Sequence, residues 1–160
     1  MYWILNGVVF IGTFFLMEFV AWAAHKYVMH GFLWTLHKDH HVKEPGFFEK
    51  NDAFFLIFTI PSWLSIMFGM IYQVDLLVAA GLGILAYGIA YFLVHEVFIH
   101  QRFKWLRNAN STYFRAVRRA HKMHHKHLTK EDGESFGMLV FPFKYWREER
   151  RKTMKLSKSS

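Results

Sequence analysis

The chain has 160 residues, enough for one domain, with 19% aromatic residues, no cysteine and a formal net charge of +8. Without cysteine there is no disulfide, no thiolate metal ligand and no thiol nucleophile, so any bound metal must take nitrogen or oxygen ligands. All twenty Lys and Arg lie within residues 26–52 or after residue 101, leaving two long apolar blocks free of positive charge. That is the pattern of a membrane protein, and it accounts for the charge without a nucleic-acid-binding surface.

Residues 2–24 are apolar apart from Asn6, Thr13 and Glu18. About 20 helical residues cross a bilayer, so this block predicts a first span. A signal peptide is the rival reading, since Ala21-Trp22-Ala23 mimics a cleavage site. It fails because the run is too long and has no basic residues before it. Glu18 would cost roughly 2.5–3.5 kcal/mol near a helix centre in lipid, so it should face the protein interior or the membrane surface. Residues 25–52 are polar, with a turn at Pro45-Gly46. Residues 53–72 predict a second span containing Pro61, and residues 76–94 a third, joined to it by the polar turn Gln73-Val74-Asp75. Gly81, Gly83 and Gly88 suit close helix packing in lipid or, less simply, the side of a substrate groove. Residues 102–120 mix aromatic and basic side chains at helical spacing, as an interfacial helix does. Residues 133–146 are apolar but too short to span, and lie at the interface or cap the site. The charged tail 147–160 is expected to fray.

Ten of the eleven histidines fall in four clusters: His25 with His30, His37 with His40 and His41, His95 with His100, and His121 with His124 and His125. His127 stands apart as a surface residue. The i, i+3, i+4 offsets of each triplet place its rings on one helix face, from which all three can converge on one point. Residues five apart behave differently. On a regular helix they point about 140° apart, so either a helix end or bulge intervenes or the two rings serve different ions. Gly31, just after His30, suggests a helix terminus there. Ten imidazoles are too many for one zinc and suit two ions at four or five each. The His95-Glu96 pair begins a zinc-protease motif, but the next His comes one residue late. Bis-histidine haem and a metal-ion transporter both require His or acidic residues inside the spans, and Glu18 alone is there. Two irons that activate dioxygen fit better. Glu18, Asp39, Glu44, Asp52 and Glu96 are candidates to orient the rings through their N–H groups. No catalytic acid or base is evident beyond the metal centre.

One span before the first cluster and a two-span hairpin after it bring both halves of the histidine set to the same membrane face. All the Lys and Arg lie there too. The positive-inside rule makes that face cytoplasmic, with the N-terminus and the Gln73–Asp75 turn outside.

The order His25-x4-His30, His37-x2-His40-His41, His95-x4-His100, His121-x2-His124-His125 resembles that of the membrane fatty acid hydroxylase/sterol desaturase superfamily. Within it, the flanking Phe48-Glu-Lys-Asn-Asp52 and Phe136-Gly-Met-Leu-Val-Phe-Pro142 segments are similar to those of the bacterial β-carotene hydroxylases. The resemblance covers nearly the whole chain. It implies an all-α integral membrane domain over residues 1–160, with about three spans and a cytoplasmic helical cap around a polyhistidine non-haem di-iron site. It further implies an O2-dependent monooxygenase using electrons from ferredoxin and its NAD(P)H-dependent reductase, in a bacterial inner membrane. The implied reaction is hydroxylation of β-carotene at C3 of each β-ionone ring, giving β-cryptoxanthin and then zeaxanthin. A fatty acid or sterol substrate and a polyhistidine metal- or haem-binding membrane protein are the alternatives.

Overall fold

A computed structural model describes residues 2–42 and 45–159. The described residues are helical and loop, with no strand among them. The elements run α1 (Tyr2–Ala23), a first π-helical segment (Ala24–Phe32), α2 (Trp34–His41), a 3-10 turn (Lys50–Asp52), α3 (Ala53–Ile71), α4 (Asp75–Phe92), a second π-helical segment (Leu93–Ile99), a 3-10 turn (Lys104–Leu106), α5 (Thr112–His124) and α6 (Phe143–Ser159).

Three helical stretches are long and apolar enough to cross a membrane: Tyr2–Phe32, Lys50–Ile71 and Asp75–Ile99. Large apolar side chains such as Trp3, Phe15, Phe19, Leu56 and Ile60 stand exposed on them, as lipid-facing surfaces do. Helix α4 is central, with α3 along one side and α1 along another. Small residues permit the approach. A Cβ at Gly81 would stand 2.7 Å from the Ile66 side chain, and one at Gly83 would stand 2.7 Å from the Phe10 carbonyl oxygen. Ser62 Oγ, buried between α3 and α4, donates to the Gly81 carbonyl at 2.8 Å. Gly88 differs from its neighbours, since a Cβ there would meet open space.

Helices α5 and α6 pack together beyond the spans through Ala116, Ala120 and Tyr145. Two departures from the sequence reading occur here. The helix expected over 102–120 begins only at Thr112, where the Ser111 side chain accepts the Phe114 N–H. The Asn108-Ala109-Asn110 run ahead of it competes with helix for backbone hydrogen bonds. The tail is not frayed, because α6 continues to Ser159. It is tied to α5 by Arg119 with Glu148 (2.6 Å) and Glu149 (3.1 Å). Residues 133–142 form an irregular strap whose Glu134 and Phe136 carbonyls meet His124 and His25, the capping role open to them in the sequence.

Candidate metal centre

The π-helical segments resolve the five-residue spacing. His100 N–H donates to the His95 carbonyl at 2.9 Å and Leu33 N–H to the Val28 carbonyl at 3.0 Å. These i→i+5 bonds widen the turn so that residues five apart come to one side. His25 and His30 then stand with ring centroids 5.3 Å apart, and His95 and His100 with centroids 4.5 Å apart. The bulge, not the division of each pair between ions, is the outcome. Gly31 departs from helical geometry (φ −103°, ψ −121°) at the expected break, and Leu33 closes the segment.

The triplets do not converge on one point as expected. Residues i+3 and i+4 sit about 100° apart around a helix, and here they flank two separate positions. The ligand nitrogens form one group of His25, His30, His37, His41 and His124, and another of His40, His95, His100 and His121. Within each group the atoms lie within 4.8 Å of one another. Helices α2 and α5 therefore each contribute to both. His125 belongs to neither group by that measure. Its ring stacks on His41 at 4.6 Å and lies 4.5 Å from His121, and its Nε2 is buried with no hydrogen-bond partner.

In the first group each Nδ1–H points outward to an acceptor. His25 donates to the Phe136 carbonyl (2.9 Å), His30 to Lys130 (3.2 Å), His41 to His127 (2.9 Å) and His124 to Glu134 (3.0 Å). His37 donates to Asn51 Oδ1 at 2.7 Å. In the second group His40 donates to Glu49 (2.9 Å) and His95 to Glu96 (2.5 Å). With the protons on Nδ1, the Nε2 lone pairs face one another. The distances are 3.1 Å for His25–His37, 3.2 Å for His41–His37, 3.3 Å for His30–His124 and 3.1 Å for His40–His95. Opposed lone pairs repel unless a cation lies between them. An ion holding imidazole at about 2.0–2.1 Å sets neighbouring nitrogens about 3 Å apart, so the donor set fits a first-row transition metal in each group. It leaves no room for a haem plane between facing rings.

Burial favours the ligating neutral form in several of these rings. It holds His37 down to about 3, His41 to about 4, and His124 and His125 to about 2, with neighbouring histidines adding to the effect. His40 and His121 are held well below the usual imidazole range for the same reason.

Among the described carboxylates singled out from sequence, Glu96 alone meets a ring nitrogen. Asp52 accepts from Arg102 (2.9 Å) and from the Glu49 N–H (3.1 Å). Asp39 accepts the Lys50 N–H at 2.5 Å, joining α2 to the turn that carries Glu49 and Asn51. Glu18 reaches no histidine. Its oxygens accept from Tyr87 Oη (2.7 Å) and the N–H groups of Met138, Leu139 and Val140 (3.0, 3.0 and 2.8 Å), so it pins the strap that carries two of the first group's acceptors, Glu134 and Phe136. Glu44 lies outside the described residues. Sequence reasoning missed Glu49 and Asn51, although both stand in the Phe48–Asp52 segment that it had flagged, and it missed Arg102.

An apolar cavity of about 300 Å³ lies among α1, α3 and α4, lined by Met17, Phe54, Phe58, Tyr87, Gly88 and Tyr91 among others. Part of its wall backs onto the histidines. Tyr91 packs on the His95 ring (5.0 Å), Phe54 on His37 (6.3 Å), and Asn51 shares the wall. Ile89, also in its lining, is half exposed.

The sequence pattern of the fatty acid hydroxylase family matches residues 10–146. The chain is 39% identical over 142 residues to a β-carotene hydroxylase of Pantoea ananas, covering 89% of this chain and 81% of that one. It is 32% identical over 138 residues to a β-carotene hydroxylase of Paracoccus sp. strain N81106, covering 86% and 85%. It is 38% identical over 129 residues to the chloroplastic β-carotene hydroxylase 1 of Capsicum annuum, covering 79% of this chain and 40% of that longer one. No solved structure matches it.

Proposed function

The chain belongs to the fatty acid hydroxylase family, and on that premise we propose that it is a membrane monooxygenase that hydroxylates β-carotene at C3 of the β-ionone rings. The observation that carries the proposal is the pairing of two inward-facing imidazole groups with an apolar cavity among the spans whose wall residues Tyr91, Phe54 and Asn51 contact the rings. Relatives named as β-carotene hydroxylases match most of the chain.

In this reading the whole chain is one membrane domain. His25, His30, His37, His41 and His124 would hold one iron, and His40, His95, His100 and His121 the other, with the unpartnered His125 nitrogen beside His41 and His121. The two irons supply activation of O2 for C–H hydroxylation, with two electrons from reduced ferredoxin and two protons yielding alcohol and water. The protein does the rest. Its cavity takes an apolar ring end out of the lipid and has too little volume for the whole polyene. Tyr91, Phe54 and Asn51 fix how near that ring approaches the nitrogens, and the buried aromatic walls exclude water. The confinement of Lys and Arg to the histidine end of the spans supports a cytoplasmic site in a bacterial inner membrane. The same positive face is suited to an acidic ferredoxin.

The test is a pigment assay. In an aerated host that accumulates β-carotene and has a working electron donor, the chain should yield mono- and dihydroxylated carotenoids, absent from a His124→Ala control. Unchanged β-carotene with membrane-inserted, iron-loaded protein would overturn the carotenoid assignment and shift it to a fatty acid or sterol.

A further inference from the structure

Arg102 lies just beyond the second π-helical segment. Gln101, in the left-handed region at φ 54°, reverses the chain there, and Arg102 N–H donates back to the Glu96 carbonyl at 3.0 Å. The guanidinium then meets three carboxylates at once. Nε lies 3.2 Å from Glu96 Oε2, Nη1 2.9 Å from Asp52 Oδ1, and Nη2 3.5 Å from Glu49 Oε1. Glu96 and Glu49 each turn their other oxygen to a ring. Glu96 Oε1 accepts from His95 Nδ1 at 2.5 Å, and Glu49 Oε2 from His40 Nδ1 at 2.9 Å. Asp52 completes the frame by accepting the Glu49 N–H through Oδ2.

We propose that Arg102 is a positioning residue for the second nitrogen group: one guanidinium fork fixes the two carboxylates that orient His40 and His95. An exposed ion cluster would be worth little, but this one is shielded. The Glu96 side chain is 2% exposed and the Arg102 side chain 15%. The planar fork matters, because a compact ammonium cannot face three carboxylates from fixed directions. Charge matters as well. Three carboxylates against one guanidinium leave an excess of negative charge beside neutral imidazoles, which complements a dication there. Without Arg102, Glu49, Asp52 and Glu96 repel one another and the rings lose their fixed acceptors. The first group's outward N–H groups go to Asn51 and to backbone carbonyls, none of which pairs with Arg102.

The proposal rests on the reading that the nitrogens hold metal. It is tested on the full chain in detergent, by metal content per chain after a graded chelator challenge. Arg102→Gln should lower retention at the second group by about 10- to 100-fold, as loss of a ligand-orienting partner does, with Arg102→Lys in between. The loss should be selective. Added to His121→Ala, which already removes the second group, Arg102→Gln should change nothing further; added to His124→Ala, it should remove the remaining ion. A merely structural role would weaken both backgrounds alike and would overturn the proposal, as would wild-type retention in Arg102→Gln. If Arg102→Gln does not fold, Glu96→Gln and Glu49→Gln carry the same comparison, with the same outcomes on either side. A wild-type chain that takes up no ion overturns the metal reading itself, and this proposal with it.

Discussion

The two nitrogen groups are built from the same side chain in different settings. The first is backed by neutral acceptors: four backbone carbonyls, at Phe136, Lys130, His127 and Glu134, and the Asn51 amide. The second has two rings backed by carboxylates, Glu49 and Glu96, which Arg102 gathers. A carboxylate makes the imidazole it holds a stronger donor than a carbonyl does. The centre therefore offers five weaker donors at one position and four at the other, two of them strengthened. Two equal ions are then not expected: charge on the second is better stabilised, and the strap anchors the first.

The comparison is broken most completely by deleting a ring from each side. His124→Ala strips the first group and His121→Ala the second, although the two residues are three apart on one helix. Each variant should retain about half the metal of the parent, measured by mass spectrometry on purified protein, and hydroxylation should be lost in both because neither ion suffices alone. Loss of both ions from either variant would mean that the groups do not bind independently.

The sequence carried the three spans and the nine rings that gather in the two groups, while His125, the tenth it singled out, joins neither. The spans came from hydropathy, and the rings came from chemistry, since imidazole in duplicated spacing has few other uses. It did not carry how the rings divide. An offset of three and four residues admits either one target or two, and the π-helical widening that aligns His25 with His30 has no local residue signature apart from Gly31 and the awkward spacing itself. Acceptors were less legible still. A backbone carbonyl looks the same in every residue, so nothing marked Lys130 or Phe136 as a partner of a histidine more than ninety residues away. Glu18 drew attention for the right reason, its cost in lipid, yet its partners turned out to be peptide N–H groups.

Glu18 gives the next largest effect, and it falls on the first group alone. Its carboxylate accepts three consecutive strap N–H groups and the Tyr87 hydroxyl. Glu18→Ala leaves those donors buried without an acceptor, at a cost of roughly 3 kcal/mol or more. The thermal midpoint should fall, and the strap should become open to limited proteolysis. Metal should leave the first group before the second, because residues 127–136 carry four of the first group's five acceptors. If the strap stays protected and the ions leave together, the strap does not hold the first group.

The mildest change makes the two settings alike. Asn51 is 7% exposed and accepts the His37 Nδ1–H at 2.7 Å. Asn51→Asp keeps the shape and exchanges the amide for a carboxylate, giving the first group the kind of partner the second already has. A buried carboxylate is costly by itself, so the metal-free protein should be less stable than its parent. With metal bound, the added charge faces a cation through one imidazole, and the stronger hydrogen bond raises the donor strength of His37. Chelator resistance of the first group should therefore rise, by less than the roughly tenfold that separates loss of a ligand's partner from its presence. The opposing shifts are the diagnostic feature: a lower midpoint without metal and tighter retention with it. A fall in both would show that His37 is not made a better ligand by a charged partner, and that the contrast between carbonyl-backed and carboxylate-backed rings does not set how firmly each group holds its ion.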